Sequence, residues 1–143
     1  MSRVYLDTSV LAKRYLRSIE SERVDALLDD ANHVFVVSDL CVVELESAVA
    51  RRARESTKDS VARERIRLRI DDDMRSGFFQ VHPLDVQVLI AARRWIAEGE
   101  PLATLDALHL ATALESAADV LATDDRQLAR AAHAAGIPAM TFL

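Results

Sequence analysis

Val4-Tyr5-Leu6-Asp7-Thr8-Ser9-Val10-Leu11 is the stretch on which the reading of this chain turns. Val4 is β-branched, Tyr5 favours strands and Leu6 completes an apolar run, so the stretch opens as a short buried strand. Asp7 ends that run, and Val10, Leu11, Ala12 and Tyr15 then begin a helical period. The pattern predicts a carboxylate where a strand meets a helix, at the edge where open α/β sheets bind ligands. Taken alone, Asp7, Thr8 or Ser9 is accounted for by capping of that helix. The rest of the chain decides whether Asp7 does more.

Outward from this stretch, the first helix extends to Arg17 and a second begins near Glu20, with Val24, Leu27, Leu28 and Ala31 at helical spacing. Val34-Phe35-Val36-Val37 is unbroken in its apolarity, as expected of a parallel strand covered on both faces. Ser38 caps a helix with Cys41, Leu45, Ala48 and Arg52 along one side. Glu55 to Ser60 is a polar break. Beyond it, Ala62, Ile66, Ile70 and Met74 form a narrow apolar stripe among arginines, which suits a helix lying against one neighbour. Gly77 ends that helix, and Phe78 to His82 reads as a third strand stopped by Pro83. Asp85 then caps a helix carrying Val88, Leu89, Ala92 and Ile96, and another runs from Thr104 to Leu114. Val120-Leu121-Ala122 is a fourth strand. A last helix, with Leu128, Ala131 and Ala132, is closed by Gly136, and Pro138 to Leu143 reads as a fifth, edge strand. This alternation predicts an α/β fold: a parallel sheet flanked by helices, with right-handed crossovers.

Composition agrees. A chain of 143 residues, half of them hydrophobic, suits one domain spanning residues 1–143. Gly and Pro number three each, too few for a turn-rich β architecture. Cys41 is the sole cysteine, which excludes an internal disulfide and argues against a Cys/His zinc cage. A cytoplasmic location is expected: no signal peptide is evident, and no run of about 18 apolar residues suggests a membrane span. The net charge of −5 does not announce a nucleic-acid partner, although net charge says little about a local patch.

The acids carry the functional signal. Asp106 lies on a helix that is apolar nearly all round, where an unpaired carboxylate is costly. Its place in the first turn suits the helix dipole, and His109 lies on the same face as a bonding partner. Asp124 and Asp125 follow the fourth strand, and parallel-sheet geometry projects them from the same edge as Asp7. Capping of the next helix needs only one of them. Glu44 and Glu46 border opposite sides of one apolar helix face, and periodicity does not choose between them. If four such acids converge, each like-charge pair at about 4 Å costs about 4 kcal/mol at an effective dielectric of about 20. Either some stay protonated or a divalent cation sits among them. Oxygen-only ligands favour Mg²⁺, with Mn²⁺ as a substitute, over zinc. Two such cations would reduce the formal charge from −5 to −1, so an acidic chain can still accept RNA.

The stretch Leu6-Asp7-Thr8-Ser9-Val10-Leu11, then Ser38 followed by Val43-Glu44-Leu45, then Asp106-Ala107-Leu108-His109-Leu110-Ala111-Thr112-Ala113, then Thr123-Asp124-Asp125 occur in this order. In that order they resemble PIN-domain proteins, and among them the VapC-type toxins of type II toxin–antitoxin pairs. The resemblance spans nearly the whole chain. It implies a central sheet ordered 3-2-1-4-5 and a metal-dependent endoribonuclease site with catalytic acids Asp7, Glu44, Asp106 and Asp125. The same acids, with Asp124 as a neighbouring candidate, would bind Mg²⁺. Ser9 would orient Asp7, Thr123 would stand beside the fourth acid, and His109 is assigned a structural role. The resemblance further implies an RNA substrate, a VapB-like antitoxin and a homodimer. Lys13, Arg14, Arg51 and Arg52, with Arg54, are candidates for strand contacts, although each taken singly is better explained as part of a solvated helix face.

Other classes fit less well. A PIN-domain nuclease outside a toxin–antitoxin pair shares every feature above. A receiver-like domain needs a lysine beyond a late strand, and the only lysines are Lys13 and Lys58. A dehalogenase-like phosphatase wants an aspartate where Ser9 stands. A non-catalytic scaffold has no need of four acids.

Overall fold

The computed structural model describes residues 1–55 and 60–142. The polar break read at Glu55 to Ser60, with Lys58 in it, lies largely outside the described residues, as does Leu143 of the predicted last strand. The chain runs β1 (Ser2–Leu6), α1 (Thr8–Tyr15), α2 (Ser21–Leu28), β2 (His33–Ser38), α3 (Asp39–Glu55), α4 (Ser60–Ser76) and β3 (Gln80–His82). It continues through α5 (Val86–Ala97), α6 (Thr104–Glu115), β4 (Val120–Ala122), α7 (Arg126–Ala134) and β5 (Ala139–Met140). All strand pairs are parallel, and the order is β3-β2-β1-β4-β5, as the resemblance implies.

β1 sits at the centre of the sheet and, like its neighbour β2, is buried on both faces. Successive residues of a strand point to opposite sides. Val4 and Leu6 join Phe35, Val37, Leu11 and Leu45 in the core beneath α1 to α4. Tyr5 points the other way and joins Val36, Leu121, Leu110 and Leu128 beneath α6 and α7. A smaller cluster of Val88, Ala92, Ala107 and Ala111 seats α5 on α6. The chain leaves β1 toward β2 and β3, then returns to the other side of β1 for β4 and β5. The β1/β4 boundary is therefore the point where the winding reverses, and a crevice opens at the carboxyl ends of these strands. Asp7 and Thr123 follow the two strands there directly.

Two predicted strands are shorter than read. Gly77, at φ +83°, turns the chain after α4, and Phe78 and Phe79 stack edge-on at 4.9 Å before pairing begins at Gln80. Phe79 is buried, while the Arg14 guanidinium covers the Phe78 ring at 4.5 Å. At the chain's end only Ala139 and Met140 pair with β4, because β4 itself offers three residues. α4, whose stripe is narrow, is tied to α1 by polar contacts: Asp73 accepts from the Tyr15 hydroxyl at 2.6 Å and from Arg14 Nε at 2.9 Å.

Helix ends follow the expected chemistry, with one exception. After α7, Ile137 N–H donates to Ala132 and Gly136 N–H to His133, with Gly136 at φ +88°. That is the left-handed cap for which glycine is suited. α6 ends in the same pattern, Ala118 N–H to Ala113 and Ala117 N–H to Leu114, but Ala117 holds the left-handed position at φ 57°. A Cβ there costs about 1–2 kcal/mol, partly offset by the smaller backbone entropy of alanine. Ala117 is exposed, so no packing is lost on replacement. Ala117→Gly is expected to raise the unfolding free energy by about 0.5–1 kcal/mol, read from the urea midpoint.

Candidate active site

Asp7 is held more tightly than a helix cap requires. It is the N-cap of α1, and the residue is 4 % exposed. Oδ1 accepts from Val10 N–H at 3.1 Å and from Ser9 Oγ at 2.6 Å. Oδ2 accepts from Thr123 Oγ1, beyond β4, at 2.5 Å. The same Thr123 oxygen accepts from Asp125 N–H at 3.0 Å, so one hydroxyl joins the first acid to the backbone of the fourth. These donors compensate the burial of the carboxylate. Capping and site chemistry thus share Asp7.

Glu44 reaches the same region from α3. Its Oε1 accepts from Thr8 Oγ1 at 2.7 Å and from His109 Nε2 at 2.6 Å. The Tyr5 hydroxyl lies 2.6 Å from the other ring nitrogen of His109. Burial opposes a charged Glu44, but the bonds from His109 and Thr8 prevail and hold its carboxyl below the ordinary value. Burial likewise opposes a charged His109, yet hydrogen bonding with Cys41 and Glu44 prevails and the imidazole is pushed up to about 10. Glu46, which periodicity leaves level with Glu44, is exposed and pairs with Arg67 of α4 at 3.0 Å. The expected Asp106–His109 bond does not form among the described contacts. The imidazole turns across to α3 instead, because a charge-assisted bond to Glu44 is available there.

Asp106 is half-buried in the first turn of α6. Its carboxyl is pushed above the ordinary value, first by burial and then by the charge of Asp125, with Asp7 and Glu44 adding to it and His109 opposing. Asp106 thus feels the other three acids. Asp125 caps α7, with Oδ1 accepting from Gln127 and Leu128 N–H at 2.8 and 3.0 Å. Asp124 is fully engaged elsewhere: Oδ2 pairs with Lys13, and Oδ1 accepts from Phe142 N–H at 2.8 Å. Of the basic candidates, Lys13 is thus taken by Asp124 and Arg14 by Asp73, while Arg52 donates to the Arg17 carbonyl at 3.2 Å. Arg51 lines an open cleft of about 400 Å³ together with Thr8, Ser9, Glu44, Ser47 and Leu105.

The family model described as PIN domain matches residues 4–134. The chain belongs to the PIN domain family. No curated protein sequence matches it. Solved structures share its fold at low identity. The VapC20 toxin of Mycobacterium tuberculosis, described as cleaving the sarcin–ricin loop, superposes at a TM-score of 0.72 with 16 % identity, covering 94 % of this chain and 95 % of that one. FitAcB of Neisseria gonorrhoeae gives 0.68 and 22 %, covering 96 % of each chain. VapBC2 of Rickettsia felis, solved with a DNA fragment from its promoter, gives 0.68 and 14 %, covering 99 % of each.

In this PIN domain the donor set at the crevice is oxygen alone, which suits a hard divalent cation such as Mg²⁺. The mutual repulsion felt at Asp106 is what such a cation would relieve. Among the described residues, however, no three His, Cys, Asp or Glu side chains form a ready-made cage. Capture would require the carboxylates to draw in. The parts that sequence reasoning missed are Thr8 and Tyr5, both joined through His109 and Glu44. The only signal for them was the histidine sharing a face with Asp106.

Thr123 is the joint of the arrangement and is fully buried. Thr123→Val keeps its shape but leaves Asp7 Oδ2 and Asp125 N–H each short of a partner. A loss of about 1–3 kcal/mol is expected in urea unfolding, with Thr123→Ser retaining most of the stability.

Proposed function

We propose that this PIN domain is a Mg²⁺-dependent endoribonuclease and the toxin of a type II toxin–antitoxin pair. What supports the reading is the placement of Asp7 and Asp125 beyond β1 and β4 at the winding reversal of the sheet, with Asp106 pushed above its ordinary value by burial, then by Asp125, and further by Asp7 and Glu44. Asp7 and Asp106 would hold the principal cation, with Glu44 and Asp125 completing the carboxylate shell, and Mn²⁺ serving as a substitute. Asp124, committed to Lys13 and the C-terminal segment, suits a structural part better than that of the fourth acid. Once bound, a divalent cation supplies Lewis acidity and charge neutralisation at a phosphodiester.

The chain's own residues do the rest. Ser9 and Thr123 fix Asp7, so its oxygens need little reorganisation on loading. Water attacks phosphorus, a carboxylate of the cluster takes the water's proton, and the bond to the leaving ribose oxygen breaks as that oxygen takes a proton from solvent. Arg51, on the cleft wall two turns beyond Glu44, is the best placed of the basic candidates to meet a strand phosphate. Support for the toxin reading comes from fold neighbours that are VapC20 and complexes of the VapBC and FitAcB kind. By that likeness a VapB-like antitoxin and a homodimer are proposed, acting in the cytoplasm. No helix of the described residues is long and apolar enough to cross a membrane.

With purified protein and a mixed RNA substrate, cleavage should require Mg²⁺ or Mn²⁺ and stop with EDTA. Asp7→Asn and Asp106→Asn should each lower the rate by more than about 100-fold, beyond what loss of an outer-shell partner costs, with circular dichroism unchanged. Arg51→Ala should raise KM for RNA several-fold and leave kcat nearly intact. Metal-independent cleavage, or full activity of Asp106→Asn, would refute the proposal.

A further inference from the structure

One helical turn of α6 does two things at the crevice. Asp106 at its start presents a carboxylate, and His109, three residues on, grips a carboxylate from another helix. Glu44 and His109 are 65 residues apart in sequence, and the histidine is 3 % exposed. A carboxylate only accepts hydrogen bonds, so Nε2 carries the proton in the 2.6 Å contact with Oε1. Nδ1 and the Tyr5 hydroxyl, 2.6 Å apart, form the second hydrogen bond of the ring. Tyr5 is 0 % exposed in the central strand, so the ring is braced from the buried middle of the sheet. Thr8 donates to the same Oε1. Among the described residues Oε2 makes no hydrogen bond, and Glu44 lines the cleft.

We propose that His109 is a positioning residue: braced by Tyr5, it holds one oxygen of Glu44 and leaves the other available to the crevice. A glutamate on a helix surface otherwise loses rotamer freedom when it is fixed. The Tyr5–His109 brace makes that loss on folding rather than on ligand capture. Histidine–carboxylate couplings behind a site commonly alter metal affinity by 10–100-fold. As a role in cation capture, the inference rests on the metal reading above; as a hold on Glu44, it stands on the hydrogen bonds alone.

The test uses the full chain and two readouts. In the first, Mn²⁺ binding is measured by calorimetry and electron paramagnetic resonance, without RNA. His109→Leu should weaken binding about 10–100-fold. His109→Gln, which can still donate to Glu44, should recover part of that loss, and Tyr5→Phe should weaken binding by a smaller factor. In a Glu44→Gln background, His109→Leu should add almost nothing. Equal losses with and without Glu44, or wild-type affinity in His109→Leu, overturn the proposal. In the second readout, ¹⁵N resonances of the His109 ring are recorded in metal-free protein. Glu44→Gln should shift Nε2 and Tyr5→Phe should shift Nδ1, whether or not His109→Leu folds. Rings indifferent to both changes overturn the proposal. If wild-type protein takes up no Mn²⁺, the metal reading fails, and the ring resonances by themselves still decide whether His109 holds Glu44.

Discussion

A charged carboxylate buried at the end of a central strand has to be satisfied from several directions, and Asp7 imposes that condition on the whole fold. Its donors are a backbone N–H and a hydroxyl from α1, and a hydroxyl from the segment after β4. The last of these exists only because β4 lies beside β1. An uncompensated carboxylate at this depth would cost several kcal/mol. The site at Asp7 thus depends on β4 lying beside β1, where the chain reverses its winding.

The remaining acids are accommodated by different means, which explains how so much negative charge persists in one crevice. Asp125 and Asp106 sit in first turns or caps of helices, where backbone N–H groups and the dipole favour anions. Glu44 has a cationic partner in His109, and Asp124 has Lys13. Asp106 alone is left with burial and repulsion outweighing its compensation. Stability and chemistry pull apart at this residue, and it is the one where an added positive charge would matter most.

Much of the fold was legible because its signals are local. Apolar runs of strand length, caps at Ser38 and Asp85, and the glycine after α7 each depend on residues a few positions apart. The stripe of Ile66, Ile70 and Met74 correctly marks the inward side of α4, although Ala62 at its start is exposed. Where the reading overran, a distant contact had intervened. Phe78 looks like strand but is held out of pairing, under the Arg14 guanidinium from α1.

The sequence by itself determined the elements, their alternation and the set of acids at strand and helix ends, since periodicity and capping act within one or two turns. The tertiary structure decided which of those acids meet. It chose Glu44 over Glu46 by placing His109 of α6 within reach of Glu44 across the sheet edge, and it separated Asp124 from Asp125 by supplying Lys13 from α1. It also turned His109 away from Asp106. These choices rest on hydrogen bonds between residues tens of positions apart. A side chain's partner at that range is set by which elements pack together, and no local pattern encodes it.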